Sequence, residues 1–177
     1  MSGLNTLLEN YRLEVGRPWL GNLAPPQRVW LAIYEPPEER RIQILVHEFE
    51  LATRAAGKTW VLLDLTDLFG QWMGSHRYRE AYFESPELLP SAIGGFEEHL
   101  ADRCREQLEG AGPESVVAVL GAGSLYGLTQ LSTLLDKVAP AIEGRLLLFF
   151  PGSHEGQTYR LLNARDGLNY LSVPITS

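Results

Sequence analysis

The chain has 177 residues, of which 45% are apolar and 21% charged, and its formal net charge is −7. A length of about 100–200 residues is the ordinary size of one domain with one core. An acidic chain with no basic cluster beyond Arg40–Arg41 lacks the positive face that holds nucleic acid by its phosphates, so direct nucleic-acid binding is not expected. Cys104 is the single cysteine, so no intrachain disulfide and no CxxC metal spacing is possible, as suits a reducing compartment. The first residues lack the basic start and apolar run of a signal peptide. No apolar run approaches the ~20 residues needed to span a bilayer. The expectation is a cytoplasmic protein without a membrane segment.

In chain order, Leu4, Leu7, Leu8 and Tyr11 fall at i, i+3, i+4 and i+7, which predicts an amphipathic helix from Leu4 to Val15 with Asn5 or Ser2 as its cap. Gly16 and Pro18 end it. Val29 to Tyr34, VWLAIY, reads as a buried strand stopped at Glu35-Pro36-Pro37. Glu38 to Ala56 reads as a long helix with a stripe of Ile42, Leu45, Val46, Phe49 and Ala52 or Thr53, closed by Gly57 as a residue suited to a left-handed cap. Thr59 to Leu65 is the second strand, with Asp64 and Asp67 at its carboxyl end. After a helical start at Leu68 to Met73, the segment Gln71 to Phe83 predicts short helices, punctuated by Ser85-Pro86 and Leu89-Pro90. Phe96 to Gly110 reads as another helix.

Val116 to Leu120 is the third strand. It runs into the Gly-rich turn GAGSLYG, Gly121 to Gly127, and then a helix expected from about Ser124, with Leu125, Leu128, Leu131, Leu134, Leu135 and Val138 inward and Pro140 as its stop. Arg145 to Phe150, RLLLFF, is the fourth strand, expected to stop at Pro151-Gly152. Thr158 to Leu162 suits either helix or strand, and Leu168 to Ile175 reads as the last strand. Near-continuous apolar runs alternating with helix-period segments predict an α/β fold: a three-layer domain with a mostly parallel sheet of about five strands and helices on both faces.

A strand, a Gly-rich turn and a helix in that order also describe a phosphate loop. That motif requires GxxxxGK[ST], and a dinucleotide fingerprint requires GxGxxG. Here Gly121 and Gly127 stand one residue too far apart, Leu128-Thr129 replaces the lysine and hydroxyl pair, and Tyr126 occupies the third glycine position. The fold is therefore expected to be P-loop- or Rossmann-like without a working phosphate loop, the turn being structural and Ser124 its helix cap. The alternative is a nucleotide- or phosphate-binding protein that uses Gly121, Gly123 and Ser124 with His154 and Arg160, which would lie at the same sheet edge if the third and fourth strands are parallel. Asp64 and Asp67 suit a turn or cap better than a metal site. The four histidines are scattered, no HExxH occurs, and Ser124 does not sit in GxSxG. No catalytic residue, metal site or cofactor is expected. Trp72, Arg77, Tyr78 and Tyr82 form a candidate partner surface, because aromatic residues and arginine anchor interfaces; the competing reading is that the aromatic rings cap the core.

Taken together, Tyr34-Glu35-Pro36-Pro37-Glu38-Glu39, Gly121-Ala122-Gly123-Ser124-Leu125-Tyr126 and Phe149-Phe150-Pro151-Gly152 carry a resemblance to the BrxB family of BREX (bacteriophage exclusion) proteins. The family's pattern is an early Y-x-P-x-x-E stretch, a G-x-G-S/A-L-Y/F turn and a later F-Y-P-G turn. The resemblance spans roughly Val29 to Ile175, making residues 29–177 a BrxB-like core and residues 1–28 an N-terminal helix and loop of one domain. Where the family's turn usually continues with a proline and an arginine, this chain has Gly127-Leu128-Thr129-Gln130. The resemblance implies a non-enzymatic assembly role in antiphage defence, with other BREX proteins as partners, above all the alkaline-phosphatase-like protein PglZ. It implies no catalytic residues.

Overall fold

A computed structural model of the chain describes residues 3–164 and 167–177. Ser2, one of the two expected caps of the first helix, lies outside the described residues. Helix α1 (Gly3–Gly16) buries Leu4, Leu7, Leu8, Tyr11 and Val15, the stripe that the spacing predicts. Asn5 lies inside its first turn rather than at its cap.

Strand β1 (Val29–Tyr34) is buried along its whole length. A 3-10 turn over Pro36–Glu38 follows, and helix α2 (Glu39–Ala55) buries Ile42, Val46, Phe49, Ala52 and Thr53. Gly57 (φ +76°) takes the left-handed conformation that closes a helix at low steric cost. Strand β2 (Thr59–Asp64) leads to helix α3 (Leu68–Ser75), then α4 (Arg79–Glu84) and α5 (Pro90–Ala111). Helix α5 starts six residues before the expected Phe96. Pro90 occupies its first turn, where a missing N–H costs nothing, so this proline opens the helix rather than interrupting a loop.

Strand β3 (Ser115–Leu120) enters the Gly-rich turn. The helix expected from Ser124 does not start there. Ala122–Leu125 forms one 3-10 turn, and helix α6 runs only over Leu131–Val138. Gly127 at φ +78° breaks right-handed helical geometry, and the N–H groups of Leu128 and Thr129 both fold back on the Leu125 carbonyl. Strand β4 (Arg145–Glu155) likewise corrects its expected end, because it continues through Pro151-Gly152. Pro151 lies opposite Tyr34 at the end of the parallel ladder, where its missing N–H is tolerated. Beyond it, Gly152–Glu155 pairs antiparallel with β5 (Thr158–Leu161), so Thr158–Leu161 is a strand and PGSHEGQTYR a hairpin. The expected last strand is two short ones, β6 (Leu168–Asn169) and β7 (Val173–Ile175).

Among the described residues the sheet has seven strands. Five run parallel in the order β2-β3-β4-β1-β7, and β5 and β6 add to the far end of β4. Side chains alternate between two cores, as the period of a strand requires. Val29, Leu31 and Ile33 join α5 and α6 on one face, whereas Trp30, Ala32 and Tyr34 join α1 and α2 on the other. This is the three-layer α/β arrangement, and the first core extends under the hairpin through Tyr159.

Candidate functional site

The three motif stretches meet at the carboxyl ends of β1, β3 and β4. The segment leaving β1 passes to the α2 face, and the segment leaving β4 packs on the α5–α6 face. Adjacent strands that part in this way create the crevice where open α/β sheets usually bind their ligands.

Each motif has a structural explanation there. Tyr34 is buried and donates its hydroxyl hydrogen to Glu39 Oε2 at 2.5 Å, which latches the end of β1 to the first turn of α2. Burial, reinforced by the Glu39 carboxylate, pushes the Tyr34 phenol well above its ordinary value, so it stays a donor. In the Gly turn, Gly121 sits at φ +87°, and a Cβ there would lie 2.7 Å from both the backbone nitrogen and the hydroxyl of Thr66. Thr66 is held by Asp64 Oδ1, which accepts from its backbone N–H at 2.9 Å and its hydroxyl at 2.6 Å. Asp64 thus builds a turn. Ser124 caps no helix; its hydroxyl lies 2.6 Å from the Gly121 carbonyl and 3.3 Å from that of Leu65, and its N–H also donates to Gly121. Gly123 approaches the hairpin, with Pro151 Cγ at 3.5 Å from where its Cβ would stand. The proline-glycine turn sends β4 into that hairpin. A Cβ on Gly152 would lie 2.0 Å from the Arg160 carbonyl oxygen, so only glycine lets the two strands approach this closely.

The hairpin separates two residues that the sequence groups together. His154 lies opposite Tyr159 and stacks on it at 5.9 Å, while Arg160 lies opposite Ser153. Residues 154 and 160 therefore stand on opposite faces of the hairpin, and the exposed His154 ring is not aimed with Arg160 at a common point.

Beside the turn opens a cleft of about 860 Å³. Its walls are Tyr126 to Thr133, Glu97 of α5, and Tyr159, Leu161 and Leu168 of the small strands. Tyr126 is the large side chain of the Gly-turn motif that stands out into solvent, at the cleft's rim. Thr129, in the place of a phosphate loop's hydroxyl, donates to Glu97 Oε1 at 2.8 Å. The lining mixes the hydroxyl, amide and aromatic groups of Thr129, Gln130, Ser132, Thr133, Tyr126 and Tyr159 with the leucines at 128, 131, 161 and 168 and the Glu97 carboxylate. The sequence does not group Tyr126, Thr129, Gln130 and Glu97, because a continuous helix from Ser124 leaves no room for a cleft; the glycine at position 127 is the signal that it breaks.

A second surface lies between α3 and α5. Trp72 is half-buried against Phe96 (5.5 Å) and Phe69 (6.2 Å), so its ring completes the core. His76 meets Trp72 edge-on at 4.9 Å and Tyr82 at a tilt at 5.2 Å. The exposed side chains beyond this aromatic cluster are Tyr78, with the Arg77 guanidinium 4.7 Å from its ring, and Phe83 and Leu88. Phe83 is 67% exposed, which is high for so large an apolar group.

The family model described as BREX protein BrxB matches residues 73–173. The chain belongs to the BrxB family. It is therefore a protein of a BREX antiphage system. The BrxB match takes in α4, α5, the Gly turn, the cleft and the hairpin, whereas Tyr34 and Glu39 precede it. Comparisons with curated proteins and with solved structures found no match. No helix among the described residues is long and apolar enough to cross a membrane.

Proposed function

We propose that this BrxB-family chain is a non-enzymatic assembly component of its BREX system, which acts in the cytoplasm by docking on the PglZ-like protein of that system. The observation that carries the reading is the exposed surface of Arg77, Tyr78, Phe83 and Leu88, which lies inside the stretch matched by the family model. Aromatic and arginine side chains on a packed base are the usual anchors of an interface, and the cluster of Trp72, His76 and Tyr82 supplies that base. The net charge of −7 supports a protein partner over nucleic acid.

The test is co-purification of the full chain with the PglZ-like protein of its BREX system, followed by titration. Binding at about micromolar concentration is expected, and Tyr78→Ala combined with Phe83→Ala should weaken it at least tenfold, about 1.4 kcal/mol. The thermal midpoint of the double variant should match the parent, because both rings are exposed. No complex at about 10 µM, a concentration at which micromolar partners associate, would reject the reading.

A further inference from the structure

At the amino end of the parallel strands, opposite the Gly turn, lies a smaller pocket of about 190 Å³. Arg145, the first residue of β4, lines it with Trp19 and Trp30, and Leu20, Leu23 and Val173 add apolar wall. Arg145 is only 5% exposed. Its guanidinium lies 4.7 Å from the Trp19 ring and 5.9 Å from the Trp30 ring. Nη1 donates to the Gly144 carbonyl at 2.9 Å and Nη2 to the Leu20 carbonyl at 3.3 Å. Both acceptors are neutral. A guanidinium has five N–H donors, so most of them have no protein acceptor among the described residues. No carboxylate pairs with it there either. Glu14 Oε2 accepts from Arg17 Nη1 at 2.7 Å, and Glu114 Oε2 accepts from Lys58 Nζ. The Arg28 guanidinium points at the carbonyls of Gly21, Leu23, Ile142 and Glu143. Burial, reinforced by Arg28, holds Arg145 below the ordinary arginine range, with Glu14 and Glu114 acting the other way. The fold thus disfavours a charge that a guanidinium keeps at neutral pH. The two indole rings offset part of that cost, but they leave the spare donors unmet.

We propose that this pocket binds a small monocarboxylate with an apolar body, whose carboxylate pairs with Arg145. The planar guanidinium fork matches a carboxylate in two parallel hydrogen bonds, and a buried arginine is best satisfied in that way. The charge count favours a single negative charge. Glu14 balances Arg17 at the pocket wall, which leaves Arg145 as the cation to be matched. A phosphate dianion would bring a second negative charge up to Glu14. Leu20, Leu23 and Val173 suit a short alkyl chain. The volume is far above the ~30 Å³ that one water occupies in the liquid, so a carboxylate and a branched chain have room. The site shares no residue with the docking face at Arg77, Tyr78, Phe83 and Leu88, so either proposal stands or falls without the other.

The experiment is a nuclear magnetic resonance titration of the nitrogen-15-labelled full chain with 3-methylbutanoate, at neutral pH and matched ionic strength. It is read at the indole N–H signals of the four tryptophans, each assigned by replacing that residue with phenylalanine. Trp19 and Trp30 line the pocket and should shift along a saturating curve, with a dissociation constant on the order of a millimolar for so small a ligand. Trp60 and Trp72 lie outside it and should stay in place. The uncharged analogue 3-methylbutanamide and inorganic phosphate should move none of the four. Arg145→Lys keeps the charge but loses the fork, and should weaken binding at least tenfold. Arg145→Gln should abolish it, with circular dichroism confirming the fold. If these variants fail to fold, the comparison of acid with amide on the unmodified chain still decides. The proposal is overturned by the absence of a saturable shift at Trp19 and Trp30 up to about 20 mM, well above a millimolar constant. Equal shifts with the amide reject a role for Arg145, and tighter binding of phosphate rejects the monocarboxylate class. Shifts at all four indoles reject a discrete site.

Discussion

Three glycines of one turn have three different reasons to be glycine. At Gly121 the conformation is left-handed and the space is filled by Thr66. At Gly127 the conformation is left-handed, at φ +78°, and the space is open. Gly123 adopts an ordinary φ, and a Cβ there would make a normal contact with Pro151. Alanine substitutions should therefore separate conformational strain from collision. Gly121→Ala carries both and should cost about 3 kcal/mol, Gly127→Ala carries the strain alone at about 1 kcal/mol, and Gly123→Ala should stay within about 0.5 kcal/mol. Urea unfolding midpoints of the three variants check the order. The need for glycine at a tight strand-to-turn transition is legible in the sequence. Which of the three is indispensable is not, because it depends on Thr66 and Asp64, which reach the turn from the neighbouring strand's loop.

At the scale of elements, the departures from expectation have local as well as long-range causes: Pro90 opens α5 early and Gly127 delays α6, whereas a partner strand extends β4. The strands β1, β2 and β3 begin and end within one or two residues of their apolar runs; β1 and β3 are buried along their whole length, which leaves little choice of composition, whereas in the edge strand β2 only Leu63 is buried. Strand β4 outruns its apolar run because Gly152 and its antiparallel neighbour continue the ladder beyond Pro151. Helix α6 is shorter than its leucine spacing suggests, and its start is under-capped. Gln130 has the extended backbone of a cap residue (φ −87°, ψ 125°) but makes no capping bond with its side chain. Gln130→Ser should stabilise the chain by about 0.5–1 kcal/mol, seen as a rise of about 2–4 °C in thermal midpoint. Serine is the better choice than aspartate, because Glu97 lines the same cleft and would repel a second carboxylate.

For the molecule as a whole, several buried acids are held neutral on both sides of the sheet. Burial pushes the Cys104 thiol up to about 12. It pushes Tyr170 up to about 12, with help from Asp136, and Tyr11 and Tyr34 higher still. Each group keeps its proton when folded but loses it when unfolded, above about pH 9 for the thiol and about pH 10 for the phenols. The folded state then binds more protons than the unfolded one, so stability is full below about pH 9 and falls as pH rises towards about 12. Denaturant midpoints measured from pH 8 to about pH 11 should decline along that path, and Tyr11→Phe should flatten the decline while losing about 1 kcal/mol at neutral pH from its 2.6 Å bond to Thr53. By itself the sequence determined the layers: apolar runs that must be buried on both faces, amphipathic helices to cover them, and a Gly turn stripped of the residues that grip phosphate. Only the tertiary structure decided the strand order, the walls that close the cleft beside Gly127, the separation of His154 from Arg160, and the place of β2 at the edge of the sheet. Those features depend on which segments become neighbours across tens of residues, and periodicity within one segment carries no record of its neighbours.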